Sequence, residues 1–209
     1  MLYFEGEYFG GIKWNGIGYD KFRNIVYELK KGKGYIKLHI NDYLIYKGQY
    51  YYGEFSGIGQ KKDFFSKYEG EFLKDVIDGY CIEHNLNGDR YEGEWRKNKK
   101  EWYGIKYYKN GDRYEGEWKN DNKEGYGTIY FSNGDRYEGE FKNDIYDGYG
   151  IFYSSLGFVY KGKFKDCLST SILFAIYKIL LFLNIIYTII LRYKNTLLYI
   201  IILIICILI

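Results

Sequence analysis

The sequence predicts an all-β fold: an elongated, single-layer antiparallel sheet of tandem β-hairpins, followed by an α-helical apolar tail. Three observations carry that expectation. The word NGDRYEGEW or NGDRYEGEF starts at Asn87, Asn110 and Asn133, a fixed 23 residues apart. Aromatic residues alternate with charged ones inside each word, the period-two pattern of a strand. At Cys167 the text changes to an almost unbroken run of Ile, Leu, Phe and Tyr.

Composition bounds the possibilities. The 209 residues include 28 Tyr and 26 Gly, no proline and a single alanine, Ala175. The net charge of +3 belongs to the tail, whose only charged residues are Lys178, Arg192 and Lys194. Residues 1–166 hold 27 Lys and Arg against 27 Asp and Glu. That neutral balance lacks the basic footprint of a nucleic-acid partner. The amino terminus places Glu5 and Glu7 where a secretory signal would be apolar, which predicts a chain that starts in the cytosol. Cys81, Cys167 and Cys206 are too few and too far apart for a disulfide framework or a zinc site, and Cys81 is expected to be buried.

Aligned on their first aromatic, the repeated words fall at Phe4, Tyr46, Tyr68, Tyr91, Tyr114, Tyr137 and Tyr160, with steps of 22, 23, 23, 23 and 23 from Tyr46 onward. Tyr27 begins a degenerate copy only 19 residues before Tyr46. Residues 1–166 therefore read as an array with units near 4, 27, 46, 68, 91, 114, 137 and 160.

Each unit carries a second word built on glycine. Gly57 and Gly59, Gly125 and Gly127, and Gly148 and Gly150 follow the closing aromatic, while one unit has Gly79 with Cys81 and another Trp102 with Gly104; the first is shifted to Gly16 and Gly18. Two short strands per unit are expected. Asn-Gly, which favours the positive φ angles of a type I′ turn, is assigned to the junction between repeats, and polar stretches such as KNDNKE to the loop inside each hairpin. The expected aromatic and glycine face comprises Tyr91, Gly93, Trp95, Tyr114, Gly116, Trp118, Gly125, Gly127, Tyr137, Gly139, Phe141, Gly148 and Gly150. Glycines on that face leave slots for rings, because a glycine in a strand weakens it unless something fills the space.

These words resemble MORN repeats (membrane occupation and recognition nexus), over about residues 3–166. The resemblance implies a twisted one-layer β array used for scaffolding, self-association or membrane contact, and eight units at about 4.8 Å per strand would extend roughly 75 Å.

In the tail, 168–191 would span about 36 Å as a helix against a hydrocarbon core of about 30 Å, which predicts a transmembrane helix. The stretch 196–209, at about 21 Å, is too short to cross alone. Two readings of 167–209 stay open. As an anchor it makes the protein membrane-associated with a cytosolic repeat domain; as read-through of AT-rich noncoding sequence it leaves a cytoplasmic or cytoskeletal protein. Cys167 beside the run is a candidate palmitoylation site, with a passive thiol as the plainer reading.

No catalytic constellation stands out, so a non-enzyme without cofactor or metal is expected. The pairs Glu92/Glu94, Glu115/Glu117 and Glu138/Glu140 recur identically, whereas acid–base catalysis needs two carboxyls in different environments; they read as a solvated, salt-bridged face. The Gly-x-Gly pairs lie in strands and not in phosphate-binding turns. His39 and His84 stand alone, and NDIYDG lacks the ligands of a calcium loop. Two basic groups are candidate contacts for anionic phospholipid: Arg96, Lys97, Lys99 and Lys100 in a loop, and Lys161, Lys163 and Lys165 on the last strand, where they also shield an edge.

The leading expectation is a scaffold or membrane tether that presents its repeat surface to protein partners, to itself or to a membrane. The order of parts is similar to junctophilins, although their long linker is absent. The alternative is a regulatory or lipid-binding module of a phosphoinositide kinase-like or methyltransferase-like system, since plant phosphatidylinositol phosphate kinases and some methyltransferases carry such repeats.

Overall fold

The computed structural model describes residues 3–20, 22–40, 43–167 and 185–194. Residues Met1–Asp166 form one compact unit and Cys167–Ile209 a second. In the first, hairpins follow one another along the chain: β1 (Tyr3–Phe9) with β2 (Ile12–Tyr19), β3 (Ile25–Lys30) with β4 (Lys33–Ile40), β5 (Tyr43–Tyr51) with β6 (Glu54–Lys62), and β7 (Ser66–Leu73) with β8 (Val76–Asn85). Then come β9 (Arg90–Arg96) with β10 (Lys99–Tyr107), β11 (Arg113–Lys119) with β12 (Asn122–Tyr130), β13 (Arg136–Lys142) with β14 (Ile145–Tyr153), and β15 (Val159–Cys167). All 15 make one open sheet in strict sequence order. The degenerate unit at Tyr27 is a complete hairpin, and the described residues of the unit at Tyr160 are its outgoing strand.

Of the second unit, residues 185–194 are described, as a helix of about 15 Å. Among the described residues no helix is long and apolar enough to cross a membrane. Most of the expected 168–191 span, and all of 196–209, lie outside the described residues.

The core is a slot filled by a ring. Glycines face one another across the sheet: Gly93 with Gly104, Gly104 with Gly116, Gly116 with Gly127, Gly127 with Gly139, and Gly139 with Gly150. Over each pair inside a hairpin lies the tyrosine that opens the unit. A Cβ built on Gly127 would sit 2.6 Å from the Tyr114 ring, and one on Gly150 2.6 Å from that of Tyr137. The phenol bends along its own strand and donates to the carbonyl three residues on, from Tyr114 to Glu117 at 2.8 Å and from Tyr137 to Glu140 at 3.1 Å. Tyr46, Tyr91, Tyr114 and Tyr137 are fully buried.

The remaining aromatics interleave with these. Tyr91 meets Trp95 edge-on at 5.4 Å and the next unit's Trp118 at 5.2 Å. Tyr114 meets Trp118 at 5.2 Å and Phe141 at 5.0 Å. Tyr137 meets Phe141 at 5.4 Å and Phe164 at 4.8 Å. Such edge-to-face pairs add about 0.5–1.5 kcal/mol beyond the area they bury. Trp118 Nε1 donates to the Gly104 carbonyl at 3.1 Å, so its polar atom is satisfied inside the lattice.

Cys81 provides an internal control. It replaces the second glycine of its unit and is fully buried, and there the ring of Tyr68 stays half-buried. Burial pushes the Cys81 thiol up to about 12, which makes it inert at neutral pH. In the unit at Tyr27, Leu29 occupies the glycine position and is buried, while the Tyr27 ring leans over Gly18 of the preceding hairpin.

Two sequence expectations are corrected. The type I′ turn lies inside each hairpin, at Asn120-Asp121 (φ 50° and 72°), Asn143-Asp144 (49° and 67°) and their equivalents. In the Asn-Gly-Asp word only the glycine has positive φ (96° at Gly88, 91° at Gly111, 88° at Gly134), within a wider connection. Side-chain acceptors explain the exchange. Asp121 exchanges two bonds with Lys100 of the preceding repeat, giving its N–H to the carbonyl (3.1 Å) and accepting the amide at Oδ1 (2.9 Å). Asp144 does the same to Lys123 at 3.1 and 3.0 Å. On the opposite rim Asp112 Oδ1 accepts the Ser132 amide at 2.8 Å, and Asp135 Oδ1 that of Ser155 at 2.7 Å. The repeated acid is therefore a staple from one repeat to the next.

The second correction concerns the first glycine of each pair. Gly125 (φ 63°) and Gly148 (φ 126°) sit at β-bulges, marked by register shifts at Gly116/Trp118 and Gly139/Phe141. A Cβ there would strike Glu117 or Glu140, so these glycines leave no slot for a ring.

Gly127→Ala is expected to displace the Tyr114 ring and lower the unfolding free energy of the intact chain by about 1–3 kcal/mol, read by tryptophan fluorescence in urea. Alkali should act through the same rings. Burial raises the pKa of Tyr46, Tyr91 and Tyr114, and that of Tyr68 to about 12. The folded chain thus keeps phenol protons that the unfolded chain releases near pH ~10, so stability holds below that pH and falls above it. Tyrosinate absorbance and loss of β circular dichroism should rise together on alkaline titration.

Candidate binding surface

In a strand that reads RYEGEW, Tyr, Gly and Trp take the packed face and Arg and the two glutamates the other. The first glutamate joins a rail of charge on tyrosine. The Arg113 guanidinium lies 4.3 Å over the Tyr130 ring and 3.3 Å from the Glu115 carboxylate. Arg136 repeats this with Tyr153 (4.2 Å) and Glu138 (3.2 Å), and Arg90 lies 5.2 Å over Tyr107 and pairs with Glu92. Glu92 also accepts the Tyr107 hydroxyl at 2.9 Å.

The second glutamate caps the bulge. Glu117 accepts the Tyr126 amide at 2.9 Å and Glu140 that of Tyr149 at 3.1 Å. The two carboxylates of one word therefore have different structural work, although both lie on the face expected to be solvated and salt-bridged.

Beside the bulge, regular pairing with the next strand sets Tyr126 opposite Glu140 and Tyr103 opposite Glu117. The residue between the two glycines is held on the charged face, giving a row across the even strands: Ile58, Tyr80, Tyr103, Tyr126 and Tyr149, exposed by 60, 46, 51, 56 and 69%. Neighbours in the row stand two strands apart, about 9.6 Å. Their period of 22 or 23 residues is visible in sequence, and alternation with the flanking glycines sets them on the charged face.

Trp102 interrupts the pattern at the bulge position. It has φ 55°, where its equivalents are Gly79, Gly125 and Gly148, and it is half exposed with the Arg96 guanidinium 5.9 Å over its ring. A bulky side chain in the left-handed region costs about 1–2 kcal/mol. The row is thus widened at its centre by an indole beside Tyr103.

The loop cations do not form one patch. Lys100 pairs with Trp95 across the strands and turns inward, its ammonium 4.7 Å over Trp95, 5.0 Å over Tyr91 and 2.8 Å from buried Glu83. It is thereby removed from the expected lipid-contact set. Arg96 lies on Trp102, Lys97 is the first residue of a type I′ turn, and Lys99 approaches Asn120 Oδ1 at 3.5 Å. Lys123, one repeat after Lys100, is held 5.4 Å over Tyr114; burial lowers its pKa. Lys161, Lys163 and Lys165 are exposed on β15.

Among the described residues no group of three or more His, Cys, Asp and Glu is placed to hold a metal ion. A shallow cleft of about 230 Å³ lies near Tyr27, Leu29 and Tyr50, smaller than the roughly 300 Å³ at which ligand pockets begin.

Trp102→Gly is expected to relieve the backbone strain and stabilise the chain by up to about 1 kcal/mol, after loss of the Arg96 stack, seen as a higher urea midpoint. A lower midpoint would show that packing of the indole outweighs its φ.

A comparison with curated proteins finds no match. The sequence profile of the MORN repeat family matches residues 68–90, 91–113, 114–136 and 137–155. Repeats of this kind are known in membrane- and protein-binding scaffolds and are typically non-enzymatic. The hairpins at Phe4, Tyr27 and Tyr46 and the strand at Tyr160 extend the same sheet beyond the matched residues. Residues 68–155 of this chain thus match four consecutive repeats of the MORN repeat model.

Proposed function

We propose that the protein is a non-catalytic scaffold that docks an elongated protein partner on its tyrosine face, with the apolar stretch 167–209 tethering a cytosolic array to a membrane. The observation that carries this reading is the exposed row of Tyr80, Tyr103, Tyr126 and Tyr149, widened by Trp102. Tyrosine, tryptophan and arginine are the side chains that dominate binding energy at protein interfaces, and here Arg–Glu pairs already neutralise the surrounding charge. A partner lying across the strands would meet one ring per repeat. The opposite face offers little by comparison, since its rings are packed against one another.

A second reading, contact with anionic phospholipid, is supported by the exposure of Lys161, Lys163 and Lys165 immediately before the apolar stretch. Each could contribute about 1 kcal/mol at an anionic leaflet.

One experiment separates the two. Tyr103→Lys/Tyr126→Lys in the intact chain should abolish recovery of specific protein partners from native membranes, while pelleting with anionic liposomes is unchanged. If partner recovery survives, and only Lys161→Gln/Lys163→Gln alters membrane binding, the tyrosine face is not the docking surface.

A further inference from the structure

The sheet is open, and its two edges carry opposite charge. β1 and β15 each have one side that no described strand covers. β1 reads Tyr-Phe-Glu-Gly-Glu-Tyr-Phe, with Glu5 and Glu7 exposed. β15 reads Val-Tyr-Lys-Gly-Lys-Phe-Lys-Asp-Cys, with Lys161 and Lys163 exposed at the corresponding positions. Both edges also expose apolar surface: Tyr3 at 52% and Tyr8 at 57% on β1, Val159 at 63% and Tyr160 at 46% on β15.

We infer that β15 of one chain pairs in parallel with β1 of a second copy, so that the protein assembles head to tail into an open-ended filament. Free edge amides and carbonyls are a template for another strand. Charge then selects which strand. An antiparallel β15–β15 pair would set Lys161 and Lys163 against lysines, and a β1–β1 pair would set Glu5 and Glu7 against glutamates; like charges opposite one another are destabilising.

Orientation follows from the two faces. Turning the second copy over to make β15–β1 antiparallel would put its ring face on the first copy's charged face. Parallel pairing keeps both faces in line: Glu5 and Glu7 come beside Lys161 and Lys163, and Phe4 and Tyr8 beside Tyr160 and Phe164. The contact joins different surfaces of identical chains and does not close, which is the condition for a filament. The inference deepens the scaffold reading by naming a second copy as one partner. It rests on the strand edges alone, so its failure leaves the tyrosine face untouched.

The test is sedimentation velocity of the intact chain in detergent micelles over a wide concentration range, at low and high salt. Wild type should give a ladder of species that passes the dimer and shortens with salt. Glu5→Lys/Glu7→Lys and Lys161→Glu/Lys163→Glu should each lose every species above the monomer while keeping the wild-type circular dichroism. An equimolar mixture of the two variants should recover the ladder, because each β1 then meets a β15 of opposite charge; that recovery also shows that both variants fold. A wild type that stays monomeric or stops at a dimer would overturn the inference. So would variants that assemble like wild type, a mixture that stays monomeric, or liposome binding by the lysines without assembly.

Discussion

The structure depends on a tyrosine ring lying over two facing glycines. Among the described residues no second layer covers the sheet, and the array buries its side chains within the sheet itself. The glycines lower the floor, the ring of Tyr91, Tyr114 or Tyr137 fills the hollow, and the next unit's Trp or Phe closes it edge-on. Each ring is thus completed by its neighbour, so a single hairpin cannot exist alone and stability accumulates along the array. The unit with Cys81 shows the dependence directly: with the slot filled by sulfur, Tyr68 is left half-buried.

The rims reinforce the same coupling. Asp121 and Asp144 on one side, Asp112 and Asp135 on the other, hold backbone amides of adjacent repeats. Their carboxylates satisfy donors that would otherwise be left without partners, and they fix the offset between hairpins. With the inner face consumed by packing and the rims by staples, the outer face is the one that exposes a row of large aromatic and apolar side chains. The glutamates that cap the bulges, Glu117 and Glu140, hold the amides of Tyr126 and Tyr149 in the exposed row. Fold and candidate surface therefore share one device.

Departures from the repeat mark where the array is individual. Lys100 and Lys123 replace the apolar residues Ile77 and Tyr146 at the same position, each lying over buried rings, and Lys100 has recruited Glu83 as a counter-ion. A buried pair of this kind adds little net stability, because desolvation offsets the attraction. Trp102 in place of glycine brings strain to the exposed row. Leu29, by contrast, mends a degenerate unit by filling the place of its missing glycine, while the Tyr27 ring packs over Gly18.

The sequence by itself determined the single antiparallel sheet of hairpins and the burial of Tyr91, Tyr114 and Tyr137, because period-two alternation and a 23-residue repeat bear directly on which side chains can be buried together. Burial of Cys81 and a salt-bridged glutamate face were legible for the same reason, while the arginine partners Arg90, Arg113 and Arg136 came from the structure. Only the tertiary structure decided which glycine takes a ring and which takes a bulge, since Gly125 and Gly127 are alike as letters and differ in φ and register. It decided likewise that Asn120-Asp121 makes the tight turn, through bonds to Lys100 that come from a different repeat. It decided too that Trp102, with positive φ at the bulge, lies beside Tyr103 under the Arg96 guanidinium, whereas the row of exposed tyrosines itself follows from alternation with the glycines, Tyr126 opposite Glu140 and Gly127 opposite Gly139.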